Sequence, residues 1–251
     1  MRIRTVAASA GLGWVRDGAQ LFARQPFALS ALSAFYLLLV LFPTSAQPIG
    51  LAVSGIASPF AAIGMMEACR DTERGRRPTP MAFAVAMLSD PPRAQMLRLG
   101  VIHATILLLA WLGMALAGID APIRITQPDG AEAPAFEVDQ VHLMLQYLGF
   151  LPLEMAMWFA PVFIGWHRVP ALKAMFFSLY TCWKNRWAML LYVFAATLLV
   201  GGAAVGILAL IAMLGASPVL LSFLTAPLML VGAGFVQATL YPIYRAIVVT
   251  E

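Results

Sequence analysis

The sequence predicts an all-α, polytopic membrane protein with six transmembrane helices. Three observations predict it. Of the 251 residues, 61% are apolar and only 11% charged, against roughly half and a quarter in soluble domains. The apolar residues gather into six long runs near the ~20 residues that cross a bilayer. On that reading, all but Arg124 of the 16 lysines and arginines fall on one face.

The elements follow in order. GWVRDGAQLFARQP places Trp14, Val15, Gly18, Leu21 and Phe22 on one helical face, with Arg16, Asp17, Gln20 and Arg24 opposite. That is the 3.6-residue period of an amphipathic helix lying in the membrane interface. A hairpin of spans follows, Phe27–Pro43 and Pro48–Cys69, joined by the tight turn Thr44–Gln47. Next come the basic stretch RDTERGRRP (Arg70–Pro78) and a short helix, apolar on most sides, within Pro78–Leu97. The third span, Gln95–Ala117, leads into the loop Gly118–Gln140, where five carboxylates stand against Arg124. Its proline and glycine content reads as a solvated, irregular segment. The fourth span is Val141–Trp166. A second amphipathic stretch, VPALKAMFFSLYTCWKN, puts Val169, Leu172, Phe176, Leu179, Tyr180 and Trp183 on one side. Arg168, Lys173, Thr181 and Lys184 form its polar side. The fifth and sixth spans are Trp187–Gly215 and Ala216–Tyr244.

The one-sided distribution of cations makes that face cytoplasmic by the positive-inside rule, with both termini on it. The formal charge of +4 is thereby topological, and no nucleic-acid partner is expected. Cys69 and Cys182 both fall on the cytoplasmic side, where thiols stay reduced, and their spacing matches no metal site. No zinc-protease helix, P-loop or nucleophile elbow is present. Gly11–Gly13 lacks the third glycine of a dinucleotide loop. No cofactor and no catalytic residue is expected.

The chain also reads as three repeat units of one orientation, each an interfacial helix followed by a membrane hairpin: about 11–69, 78–166 and 169–245. FARQPFAL (Phe22–Leu29) is matched in character by CWKNRWAM (Cys182–Met189). The pattern, with its GLGWVRDGAQLFARQPFAL stretch, resembles a family of uncharacterised betaproteobacterial integral membrane proteins. More loosely it is similar to YciC-type proteins and to the membrane domain of some glycerophosphoryl diester phosphodiesterases. The resemblance implies a multi-pass protein of the bacterial inner membrane and supplies no catalytic residues.

One residue breaks the apolar pattern of the fourth span. In FLPLEMAMWFAP (Phe150–Pro161), Glu154 stands among apolar side chains between Pro152 and Pro161. At ~1.5 Å per residue it lies about 18–20 Å from either end of the span. A charge at that depth costs about 2.5–3.5 kcal/mol on insertion scales, so the group should be paired, protonated, or turned to the bundle or a hydrated cavity. Pro152 and Pro161 cannot donate to the carbonyls of Leu148 and Met157, which predicts kinks and a polar pocket. Counted along their spans, His103 and Gln237 lie about one turn shallower than Glu154. His103, on the partner span of the hairpin, is placed to reach it.

Other signals are local. Glu67 is expected to pair with Arg70 at i,i+3. Arg70, Arg74, Arg76 and Arg77 set topology, with contacts to anionic lipid headgroups as the alternative. Gly202 and Gly206 are expected to pack inside the chain, with dimerisation as the alternative. The functional expectation is a structural or accessory membrane protein that binds lipid, another membrane protein or a second copy. The rival is a small transporter or permease with a proton- or solute-handling site formed by Glu154, His103 and Gln237.

Overall fold

The computed structural model describes residues 2–88, 92–116 and 140–249. They form ten α-helices, one short 3-10 helix (Phe42–Ser45) and one small strand pair. The expected acidic loop lies, but for Gln140, outside the described residues. Six helical segments are long and apolar enough to cross a membrane: Pro26–Ser45, Ile49–Glu73, Pro92–Leu116, Gly149–His167, Arg186–Met213 and Pro218–Ile247. The all-α, six-span class is therefore established.

Helix α1 (Ala10–Arg24) buries Gly11, Trp14, Gly18 and Leu21, the apolar face read from its periodicity. It lies across α9 (Arg186–Met213) and α10 (Pro218–Ile247). A side chain on Gly18 would collide with Thr239, so glycine sets the closeness of the α1–α10 crossing. Gln25 interrupts the chain, and Pro26 opens α2 (Pro26–Val40) at its first turn, where a missing N–H costs nothing. Helix α3 (Ile49–Glu73) is the central element and packs most extensively on α5 (Pro92–Leu116). Gly55 meets Ala104 there and Gly100 meets Ile56, each without room for a Cβ. Small residues provide such contact where lipid removes any hydrophobic drive between helices. The short helix α4 (Met81–Leu88) lies against α3.

The fourth span is two helices, α6 (Gln140–Trp158) and α7 (Ala160–His167), broken at Phe159. Pro152 stays inside a continuous α6, while Pro161 sits in the first turn of α7. In an unbroken helix the Phe159 N–H would reach the Met155 carbonyl. Here the Ser178 hydroxyl takes that place: Phe159 N–H donates to Ser178 Oγ at 2.9 Å, and Ser178 Oγ donates to Met155 O at 2.7 Å. A side chain inserted into the ladder is a known cause of a sharp break. Ser178 belongs to α8 (Ala171–Lys184), the second amphipathic helix.

Helix α8 faces the opposite way from a soluble amphipathic helix. Ala171, Ala174, Ser178, Thr181 and Cys182 are buried against the protein, while Leu172, Phe176, Tyr180 and Trp183 are exposed. Thr181, read as part of the polar side, is fully buried and donates to Phe177 O at 2.6 Å. In a bilayer the aromatic side faces lipid and the small polar side faces protein. Helix α9 is still barer: only 6% of its apolar window is buried. Gly201, Gly202 and Gly206 on it have open space where a side chain would go, so the expected intramolecular packing of Gly202 and Gly206 does not occur among the described residues.

The two ends of the described chain meet. β1 (Arg2–Ile3) pairs antiparallel with β2 (Val248–Val249). Asn185 fixes the segment after β1, its Oδ1 accepting from Val6 N–H at 2.9 Å and its Nδ2 donating to Arg4 O at 3.2 Å. The first and last described residues therefore share one face, which also carries Arg70, Arg76 and Arg245.

Two predictions follow from the α6–α8 junction. Ser178→Ala leaves the Phe159 N–H unpaired in an apolar setting, at about 1–3 kcal/mol, and leaves the Met155 carbonyl with only the weak Cys182 Sγ donor at 3.6 Å. Thermal unfolding in detergent is expected to show a clear drop, with Ser222→Ala, a peripheral hydroxyl bonded to Pro218 O, close to wild type. Burial pushes the neighbouring Cys182 thiol up to about 12. Folding thus favours the neutral thiol: this contribution is intact below the unfolded value near 9 and is lost as pH rises from there to about 12. Maleimide labelling at pH 7–9 should leave Cys182 unmodified until the protein is denatured.

Candidate functional site: a cavity at mid-membrane

A cavity of about 330 Å³ lies among five of the six spans, all but α9. Its wall takes Tyr36 from α2, Ser58 from α3, His103 from α5, Glu154 and Trp158 from α6, and Leu240 from α10. Counted along the helices, these residues lie about two turns or more from the face where the chain ends meet. The rest of the lining is apolar, including Pro59, Met157 and Pro161.

Each polar group has a local cause for its position. Glu154 is one turn before Trp158 on α6, so both point the same way. The break at Phe159 then redirects the chain, and Pro161 at the head of α7 completes the same wall. Ser58 stands one residue before Pro59 inside α3. Its hydroxyl lies 3.1 Å from Gly55 O and 2.8 Å from His103 Nδ1. One hydroxyl proton serves these two acceptors. Given to Gly55 O, it requires His103 Nδ1 to carry a proton and leaves Nε2 an acceptor. Given to Nδ1, it makes Nε2 the donor.

The sequence singled out Glu154, His103 and Gln237. Glu154 and His103 share the cavity, though no hydrogen bond joins them. Among the described residues none hydrogen-bonds to the Glu154 carboxyl, which is exposed rather than sealed. Gln237 lies outside the wall. Its neighbour Val236 and, three residues on, Leu240 line the cavity instead, and Gln237 Oε1 is buried without a partner among the described residues. The Trp158 indole N–H is unpaired in the same sense. Tyr36, Ser58 and Trp158 complete the site. Trp158 carried a signal, its shared face with Glu154; Tyr36 and Ser58 carried none beyond being polar within apolar runs.

Toward the basic face the cavity ends in packed side chains. Ile63 on α3, Phe163 on α7 and Ile243 on α10 are buried, and beyond them the helices are tied by polar contacts. Glu67 pairs with Arg70, as expected, and also accepts from Trp166 Nε1 at 2.6 Å. The Arg70 guanidinium lies 4.7 Å from the centre of the Trp166 ring. His167 Nε2 and the Tyr244 hydroxyl are 2.6 Å apart. Glu73 pairs with Arg245, accepts from Tyr241 Oη at 2.8 Å, and offers its backbone carbonyl to Arg24 at 3.0 Å. Of the four arginines expected to set topology or meet lipid, Arg70 and Arg76 are thus ion-paired, the latter with Asp71. Arg74 and Arg77 are exposed.

Comparison with known proteins fits this architecture. The chain is 31% identical over 255 residues to a probable inner membrane protein of Burkholderia thailandensis, an alignment covering 98% of this chain and 93% of that protein. It belongs to the same inner-membrane protein family. No known family model matches the chain, and no solved structure does. The looser likeness to YciC-type proteins therefore rests on the residues that suggested it.

Proposed function

We propose that this inner-membrane protein is a small transporter or permease that handles a proton, a small solute or both at the Glu154 cavity. The observation that carries the reading is the cavity itself. A carboxyl group at mid-depth, with no hydrogen-bonding protein partner among the described residues, lines a space in the range of small-ligand pockets. A purely structural glutamate would be expected to close a hydrogen bond across the α6 break. Ser178 performs that task, and Glu154 is left for something else. Intramembrane ionisable residues that face a cavity characteristically mark ion or substrate paths. In this reading the protein catalyses no covalent chemistry, and the basic face is cytoplasmic.

The bare small-residue face of α9 supports a second reading, an accessory protein docked against another membrane protein or a second copy. Such a role makes no demand on Glu154.

Two measurements test these statements. Infrared difference spectra of wild type against Glu154→Gln in bilayers, between about pH 5 and 9, should show a carboxyl band that titrates reversibly and is missing from the variant. A band that stays protonated throughout means a sealed group, and the transporter reading falls. Orientation is read with a membrane-impermeant maleimide on intact cells. Asp129→Cys should be labelled and Arg74→Cys should not; the reverse pattern would invert the topology.

A further inference from the structure

We propose that the ligand of the Glu154 cavity is a lipophilic monovalent cation, bound in exchange for the Glu154 proton. The inference rests on the preceding reading of the cavity as a solute site and names the class of solute.

Charge is the first restriction on the ligand. The ionisable side chains facing the cavity are Tyr36 from α2, His103 from α5 and Glu154 from α6. The lining residues of α3, α7 and α10 are Ser58, Pro59, Ala62, Pro161, Val236 and Leu240, none of them ionisable. Among the described residues no lysine or arginine lines the wall, and the one basic group on it, His103, is already engaged through Nδ1 with Ser58 at 2.8 Å. An anionic solute would therefore meet a carboxyl group and no free permanent cation. Deep in a bilayer, an uncompensated charge is expelled or neutralised. Two states of Glu154 satisfy that requirement: the protonated acid, and the carboxylate with a single positive charge beside it. The cavity is neutral in both, so loading a cation displaces a proton, one for one.

Lining and shape restrict the cation further. Most of the wall is apolar, with Tyr36, Ser58 and Glu154 its only side-chain oxygens among the described residues, too few to replace the water shed by a small, strongly hydrated ion. Two aromatic side chains, Tyr36 and Trp158, stand on the wall with Glu154. Aromatic faces attract weakly hydrated organic cations. The cavity is also approached from the bilayer side. Helix α6 packs chiefly on α8, and α2 on α3 and α10, so Glu154 between them stays exposed. A ligand that partitions into lipid can reach it.

The experiment uses the full chain in lipid nanodiscs, with benzyltrimethylammonium as probe and neopentylbenzene, its uncharged carbon isostere, as control. A permanently charged probe removes the ligand's own titration from the result. Wild type should bind the cation at least about tenfold more tightly than the isostere. Binding should strengthen as pH rises between about 5 and 9, with release of close to one proton per cation in weakly buffered solution. Glu154→Gln should lose the preference for the cation and the proton release while keeping the affinity for neopentylbenzene. That retained affinity shows that the variant still folds around an intact cavity. Equal binding of both probes by wild type, or cation binding unchanged in Glu154→Gln, overturns the proposal. If the Glu154 carboxyl band titrates but the cation does not bind, the solute-site reading stands and the cation class is wrong. If the band does not titrate, both fall.

Discussion

The hydrogen bonds that Ser178 makes to Phe159 and Met155 hold the rest of the site in place. In lipid no water is present to satisfy a backbone group that loses its helical partner. A break in a transmembrane helix is therefore stable only where another part of the protein supplies the missing donor and acceptor. A single hydroxyl does both, because it can accept from one backbone group and donate to another. Helix α8 delivers it from outside the bundle, and in doing so it ties the fourth span to the segment that precedes the fifth. The direction of α7, and with it the placement of Pro161 on the cavity wall and of Trp166 and His167 at the basic face, follows from that junction.

The structure separates two kinds of polar group. Those at the basic face are largely paired with one another: Glu67 with Arg70 and Trp166, His167 with Tyr244, and Glu73 with Arg245, Tyr241 and Arg24, leaving Arg70 Nε as the one buried atom of that network without a partner among the described residues. They join α1, α3, α7 and α10 at one level and close the bundle below the cavity. Those in the cavity are only partly satisfied. His103 and Ser58 hold each other, and Glu154 and the Trp158 N–H are left over. Of these the Trp158 N–H is buried, where a polar group is normally paired, and Glu154 is exposed within an apolar span, where a carboxyl group calls for a reason. The two layers lie some two helical turns apart: in one the carboxylates are ion-paired, in the other the carboxyl group has no partner among the described residues.

The spans were legible because hydropathy over ~20 residues reports directly on the bilayer. Glu154 was legible because a carboxylate in such a run is conspicuous, and His103 because depth can be counted at a fixed rise per residue. Angle is harder to count than depth. Gln237 has the right depth, yet one residue on a helix is a turn of about 100°, and Val236 and Leu240 face the cavity in its place. Which side of α8 meets the protein was not legible, for a different reason. Periodicity shows that a helix has two faces, but in lipid the more apolar face is the one that leaves the protein, and Ser178 and Thr181 go inward. The small-residue face of α9 was visible as Gly202 and Gly206, but spacing alone carries no information on whether a partner lies in the same chain. Tyr36 and Ser58 were invisible because a lone hydroxyl in a span is ordinary.

The pairing of β1 with β2 bears on how such a protein is made. Arg2 and Ile3 are among the first of these residues to be synthesised, and Val248 and Val249 among the last. Asn185, which holds Val6 and Arg4, arrives only with the fifth span. The opening segment must therefore wait, unpaired, at the membrane surface until the final helix has been inserted. Closure of this small ribbon is then a late event in biogenesis. It is a local mark that all six spans are in place, and until it forms, the exposed strand edge is open to whatever surveys incomplete membrane proteins.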